Sequence, residues 1–247
     1  MNSIFYGATD AGCCRENNED NFLLEQNGDY ILNVVADGCG GYEGGEMASY
    51  LACKCIKEHL DDIPAEALGP DTLKQAVIYA NNAIVSQHSN PYLSNMCCVL
   101  TAALFDIAHA YIHMCHVGDT RLYQYIDGKL EKLSRDHSLV GKQEDSGLIS
   151  EEEAMRHPSR NIITRAVGSR RLYYGTDYIT SNSFPIQSDA QYMICSDGLY
   201  DMVSSSDIAE ILKNNTTPQE KVESLISAAN KAGGKDNITV TIVETTK

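Results

Sequence analysis

Three aspartates sit where apolar runs give way to turns. Val34-Val35-Ala36-Asp37-Gly38 and Met193-Ile194-Cys195-Ser196-Asp197-Gly198 both run into Asp-Gly, and Asp236-Asn237 stands directly before the β-rich run 238–243. A carboxylate at the end of a buried strand is costly unless a cation or hydrogen bonds compensate it. Oxygen ligands of this kind suit Mg²⁺ or Mn²⁺ rather than zinc or copper. More acids border the strands: Glu19 and Asp20 follow Arg15-Glu16-Asn17-Asn18, and Asp119 lies within His116-Val117-Gly118-Asp119-Thr120-Arg121. One aspartate near a turn is ordinary turn chemistry. Several at the borders of apolar runs point to a metal site.

The elements that must hold these acids can be read from periodicity. Strands are expected at 4–9, 21–25 and 30–36, with a hairpin turn at Asn27-Gly28-Asp29. Asp37 and Asp197 each read as the last residue of a strand, with the following glycine turning the chain away. A helix opens at Gly44-Gly45 and runs to about Leu60, with Met47, Tyr50, Leu51 and Cys55 on one face. A second, 71–87, places Leu73, Ala76, Val77, Ala80 and Ile84 at helical spacing, with Asp71 as its cap. Further strands are expected at 99–106, 110–117, 121–125, 173–180 and 191–195, with a turn at Asp127-Gly128. Helices near 206–213 and 218–232 precede a final strand. Residues 134–170 are polar, without a clear strand, and hold a short helix near Glu151-Glu152-Glu153 ended by Pro158. A stretch of that length without strands is more often functional than idle.

No repeat or low-complexity linker divides the 247 residues, which read as one domain over 1–247. Most strand connections are too short for parallel crossovers, so a layered α+β sandwich fits better than βαβ alternation. A net charge of −15 offers no basic patch for nucleic acid or an anionic membrane. The N-terminus shows no signal peptide, and no apolar run reaches membrane-spanning length. The nine cysteines show no Cys-x-x-Cys spacing and read as reduced thiols of a cytoplasmic protein.

Taken in order, these stretches resemble a family. Thr9-Asp10-x-Gly12-x-x-Arg15-x-x-Asn18-Glu19-Asp20, Val35-Ala36-Asp37-Gly38-x-Gly40-Gly41, His116-Val117-Gly118-Asp119-Thr120-Arg121, Ser196-Asp197-Gly198-Leu199 and Gly234-Lys235-Asp236-Asn237-Ile238-Thr239 are similar to the metal-dependent serine/threonine protein phosphatases, the PPM or PP2C family, in its bacterial form. Arg135-Asp136-His137-Ser138, His157-Pro158-x-x-Asn161 and Ile163-Thr164-Arg165-Ala166-Val167-Gly168 fit as well. The resemblance implies a four-layer α-β-β-α sandwich of two antiparallel sheets flanked by helix pairs.

The resemblance also implies hydrolysis of phosphoserine and phosphothreonine in proteins by direct attack of a metal-bridging hydroxide. Two Mn²⁺ or Mg²⁺ ions are implied, with a third, weaker site in bacterial relatives. Asp37 would bridge the two ions, with the Gly38 carbonyl as a further ligand, and Asp197 and Asp236 would bind the second ion. Glu19 and Asp20 match acids that hold metal-bound waters, and Asp119 with Asp197 matches the third site. Arg15 matches the residue that binds the substrate phosphate, where a guanidinium can hold two oxygens at once. The implied partners are phosphoproteins and an opposing Ser/Thr kinase, with the chain a monomer. Segment 134–170 matches a flap beside the active site, where Arg160 or Arg165 would meet acidic or phosphate groups.

Two departures stand out. Position 39 is Cys where eukaryotic relatives carry a His proposed to protonate the leaving oxygen and bacterial relatives usually carry Met, so water or another residue must take that role. Met96-Cys97-Cys98-Val99-Leu100-Thr101 replaces the family's usual Gly-Thr-Thr. Cys195, two residues before Asp197, would share its face on a strand; with Cys39 it is either small buried filler or a thiol open to oxidation near the metals. Two rivals remain. Cys115 and Arg121 have the Cys-x5-Arg spacing of cysteine-dependent phosphatases, although Asp119 would repel the phosphate within that loop. A catalytically weak pseudophosphatase that only binds phosphoproteins is the other.

Overall fold

A computed structural model describes residues 2–39, 43–169 and 178–246. The chain begins with β1 (Asn2–Asp10), β2 (Asp20–Asn27), β3 (Tyr30–Cys39), α1 (Glu43–Asp61) and α2 (Pro70–Gln87). Next come β4 (Cys97–Asp106), β5 (Tyr111–Val117), β6 (Arg121–Ile126), β7 (Lys129–Lys132), α3 (Leu139–Asp145) and α4 (Glu151–Met155). β8 (Thr180–Pro185), β9 (Gln191–Cys195), α5 (Asp197–Tyr200), α6 (Ser205–Leu212), α7 (Pro218–Lys231) and β10 (Ile238–Thr246) complete it.

The chain forms two compact units. The first gathers Met1–Asn18, Asp119–Thr164 and Gln187–Lys247; the second gathers Glu19–Gly118 and Arg165–Ile186. Each contains one five-stranded sheet, ordered β1-β10-β9-β6-β7 in the first unit and β2-β3-β4-β5-β8 in the second. All pairings between these strands are antiparallel, as the short connections require. At the β6–β7 turn Asp127 and Gly128 both take positive φ, the backbone that a two-residue hairpin needs.

In the second unit one face of the sheet packs on α1 and α2. Leu32, Val34 and Ala36 of β3 and Leu100, Ala102 and Leu104 of β4 meet Ala48, Ala52, Ile56, Leu73, Val77 and Ile84 of the helices. The stripe expected on α2 is the one observed. On α1 it is rotated: Met47 and Tyr50 are exposed, and the alanines let the helix lie close to the sheet. Nor does Asp71 cap α2, whose N-cap is Gly69 with Pro70 in its first turn; Asp71 stands in that first turn, at the positive end of the helix dipole. Emptying one of the buried positions, as in Ile84→Ala, removes roughly 2–5 kcal/mol.

The first unit packs α6 and α7 on its own sheet through Ile208, Leu212, Val222, Leu225 and Ala229 against Met193, Val240 and Ile242. A Thr217–Glu220 capping box with Pro218 in the first turn starts α7. Within 134–170, α4 matches the short helix expected there, whereas α3, capped by Ser138, was not anticipated. The strand expected at 173–180 starts instead at Thr180 and runs to Pro185, while 173–177 lie outside the described residues. No helix among the described residues is long and apolar enough to cross a membrane.

Candidate metal centre

Neither Asp-Gly aspartate ends a strand. Asp37 lies inside β3, which continues through Gly38 and Cys39. Gly38 is required by close approach rather than by a turn: a Cβ there would stand 2.2 Å from the Gly45 carbonyl oxygen and 2.7 Å from that of Glu19. The Gly38 amide donates to the Glu19 carbonyl at 3.1 Å, and the Ser49 hydroxyl donates to the same oxygen at 2.6 Å. Gly45, at the start of α1, leaves room for the Glu19 carboxylate, whose atoms would lie 2.7–3.0 Å from any added Cβ. One backbone knot thus fixes Glu19, Asp37 and Gly38 together.

Register then sets Asp20 of β2 directly opposite Asp37 of β3, with Val99 of β4 on the other side. Like charges directly across a ladder repel. Leu32, Val34 and Ala36 face the helices, so alternation turns Asp37 and Cys39 to the opposite face. The next row on that face is Val35, Thr101 and His116, where the Thr101 hydroxyl and His116 Nδ1 are 2.9 Å apart in the interior. The altered Met96–Thr101 stretch therefore presents the methyls of Val99, not a hydroxyl, beside Asp37. Val99 also fills the space that a Cβ at Gly118 would need.

Asp197 opens α5, with Ser196 as N-cap after β9 ends at Cys195. Cys195 and Asp197 therefore do not share a strand face, and Cys195 is fully buried. Gly198 again answers a close approach, since a Cβ would meet the Asn237 carbonyl oxygen at 2.0 Å. One turn on, Tyr200 donates to the Asp119 carbonyl at 2.9 Å and lies under the Arg121 guanidinium, 3.7 Å from the ring centre. Burial, and next the Asp119 charge, push the Tyr200 hydroxyl well up. Burial pushes Asp119 itself up to about 7, with Asp136 adding to the rise and Arg121 opposing it. Asp201 is raised by burial against the pull of Arg160, and Asp236 adds to that rise. Asp119, Asp197, Asp201 and Asp236 thus act on one another, directly or through Tyr200, within the first unit.

Arg15 is held by a loop clamped at both ends. Asn237 Nδ2 donates to the carbonyls of Ala11 and Asn17 at 3.0 and 2.9 Å, and Asn230 Nδ2 donates to Asp10 at 3.1 Å. Arg15 Nη2 donates to Asp236 Oδ2 at 2.7 Å, and both side chains are partly exposed. Such a pair exchanges partners at little cost. Asn230, Asn237, Tyr200 and Asp201 carry this geometry, and sequence reasoning gave none of them a role. Asn237 and Asp201 could have been found, as the neighbour of Asp236 and as the residue one helical turn after Asp197.

Arg160 Nε donates to Asp201 at 2.7 Å and Arg165 Nη1 donates to the Tyr178 carbonyl at 3.4 Å, so both are engaged by the protein. The thiol rival fails on environment: burial drives Cys115 up to about 11, and Arg121 is committed to Asp136 and Glu144. Among the described residues no three His, Cys, Asp or Glu side chains close into a finished metal cage. The donors are nevertheless carboxylate and carbonyl oxygens, with two carboxylates facing each other and a third driven toward protonation. That chemistry fits a hard divalent cation.

The geometry has relatives. Residues 15–232 match the family model of protein phosphatase 2C. The serine/threonine phosphatase stp of Listeria monocytogenes is 36% identical over 241 residues, 96% of this chain and 93% of that protein. The crystal structure of the Mycobacterium tuberculosis serine/threonine phosphatase PstP/Ppp superposes with a TM-score of 0.86 at 33% identity, covering 99% of each chain. The catalytic domain of PstP in complex with two manganese ions gives a TM-score of 0.85 at 32% identity, again over 99% of each. The α+β class expected from the sequence is thereby borne out, and the chain belongs to the protein phosphatase 2C family.

Proposed function

We propose that this chain removes phosphate from phosphoserine and phosphothreonine in proteins, using Mn²⁺ or Mg²⁺ held by Asp37, the Gly38 carbonyl, Asp197 and Asp236. The observation that carries this reading is the direct opposition of Asp20 and Asp37, a repulsive arrangement that a cation relieves. Two divalent cations, when bound, supply an activated water and neutralise phosphoryl oxygens. Glu19 and Asp20 orient water beside Asp37, and Asp119 with Asp197 offers a third, weaker position. Arg15, released from Asp236, takes two phosphate oxygens through its planar fork. The leaving oxygen is protonated by water or a residue other than Cys39.

The proposal further takes 1–247 as one catalytic domain with 134–170 as its flap. It also takes the chain as a cytoplasmic monomer opposed by a Ser/Thr kinase. Retention of every expected carboxylate and of Arg15 speaks against a binding-only pseudophosphatase.

The test is hydrolysis of a phosphothreonine peptide and of p-nitrophenyl phosphate, titrated with Mn²⁺ and Mg²⁺ and reversed by chelator. Activity with either metal, lost in Asp236→Asn, is expected. No hydrolysis at any metal concentration would overturn the reading.

A further inference from the structure

Cys39 at the end of β3 is the direct cross-strand partner of Cys97 at the start of β4. Residues opposite each other on an antiparallel pair have Cα atoms about 4.5–5.5 Å apart, and their side chains share a face. A disulfide needs a Cα separation of about 4.4–6.8 Å. Both are half-buried, so a small oxidant can reach them. We propose that Cys39 and Cys97 form a reversible cross-strand disulfide that switches this phosphatase off.

The other cysteines lack one or more of these conditions. Cys53, Cys55, Cys98, Cys115 and Cys195 are buried, and burial lifts the Cys53 thiol to about 12. Cys13 and Cys14 are exposed but adjacent in sequence, with contacts to Asn230 and Gly233 rather than to an opposed thiol. Only Cys39 and Cys97 combine accessibility with a partner in register.

With hydrogen peroxide as oxidant the chemistry balances. The thiolate sulfur of one cysteine attacks a peroxide oxygen, the O–O bond breaks, and a sulfenic acid and water result. The second thiol then displaces hydroxide from that sulfur, forming the S–S bond and a second water. Two electrons pass from the thiol pair to the peroxide. A reducing dithiol reverses the bond by exchange.

The consequence follows from position. Cys39 lies two residues beyond Asp37 on the same strand face, and its S–H approaches the Asp37 carbonyl oxygen at 3.9 Å. Forming the disulfide removes that hydrogen and ties the end of β3 to β4, moving the peptide that carries Asp37 and Gly38. The bond itself rests on strand register alone; its effect on turnover rests on the function proposed above.

The test treats the whole protein with hydrogen peroxide, alkylates the remaining thiols, and maps cross-linked peptides by mass spectrometry beside an activity assay. A Cys39–Cys97 peptide is expected, with turnover falling about tenfold and returning with dithiothreitol. Relative to its own untreated rate, Cys97→Ser should lose this reversible response, and Cys13→Ser/Cys14→Ser should keep it. Oxidation of Cys13 or Cys14 without any Cys39–Cys97 peptide would overturn the disulfide. The peptide with unchanged turnover would overturn the switch. A chain inactive before treatment would count against the phosphatase reading alone, because the peptide map reads the disulfide independently.

Discussion

Two buried aspartates of the first unit have opposite surroundings. Asp136 accepts from Arg121 Nε and Nη2 at 3.0 and 2.7 Å and from Lys132 at 3.4 Å, while Glu144 and Asp145 share the same two cations. Asp119 is buried to a similar degree, yet burial and the neighbouring Asp136 charge drive its carboxyl up to about 7. The first carboxylate is matched by fixed cations and belongs to the frame around α3. The second sits where burial and a neighbouring negative charge favour the protonated form. A buried carboxylate of that kind costs stability unless something binds it, and on the function proposed above this cost would separate cation ligands from carboxylates that build the fold.

Removing Asp37 tests the distinction most sharply. Asp37→Asn should lower metal-dependent hydrolysis of p-nitrophenyl phosphate by more than about 100-fold, the upper range for residues that merely support metal ligands. Its metal-free melting temperature should hold or rise, because a charge facing Asp20 is gone. A large fall in stability would place Asp37 with Asp136 instead.

Arg121→Leu should act the other way. It leaves buried Asp136 with only Lys132, at 3.4 Å, takes away the Arg121 partner of Glu144, and should cost about 3–5 kcal/mol in denaturant unfolding. The Arg121 guanidinium stays charged despite its burial, because Tyr123, Asp136, Tyr200 and Glu144 surround it. If unfolding is unchanged while activity vanishes, Arg121 is not part of the frame.

A pH series separates the two classes without touching the frame. The Asp119 carboxyl is raised from the ordinary 3.8 to about 7, so between those values the folded state holds more of its proton than the unfolded chain does. Stability from this group is therefore complete below about pH 4 and lost as pH rises through 7. With chelator present, the melting temperature should fall over that window, and Asp119→Asn should flatten the slope. Saturating Mn²⁺ should flatten it too, by favouring the charged form. A slope unaffected by the substitution would remove Asp119 from the comparison.

How much of this was legible in the sequence depended on the range of the cause. The stripe on α2 and the turn at Asp127-Gly128 are local patterns, and both appear as read. The glycines of the two Asp-Gly pairs suggested turns, but Gly38 is there because folding brings the Gly45 and Glu19 carbonyls too close for a Cβ, and Gly198 because that of Asn237 does. That is why Asp37 proved to lie within a strand and Asp197 at the start of a helix. A four-residue helix such as α5 has no period to detect. Register is equally invisible in one sequence, so neither the Asp20–Asp37 opposition nor the Cys39–Cys97 pair could be foreseen. The earlier link between Cys39 and Cys195 assumed a strand through Asp197 that the chain does not make.

The smallest effect concerns an ion pair of the same chemistry as Arg121–Asp136 but on the surface. Arg156 Nη2 meets Glu152 at 2.9 Å across one turn at α4, with the side chains 78% and 73% exposed, against 6% and 1% for Arg121 and Asp136. Water already solvates both Arg156 and Glu152, so removing one partner leaves no buried charge behind. A double-mutant cycle on Glu152→Ala and Arg156→Ala should return about 0.3–0.5 kcal/mol, shrinking further in high salt. The corresponding cycle at Arg121 and Asp136 should give several times more and respond little to salt. If the two cycles agreed in size, burial would not be what distinguishes a framing carboxylate, and the assignment of Asp119 and Asp37 to cation binding would lose its physical basis.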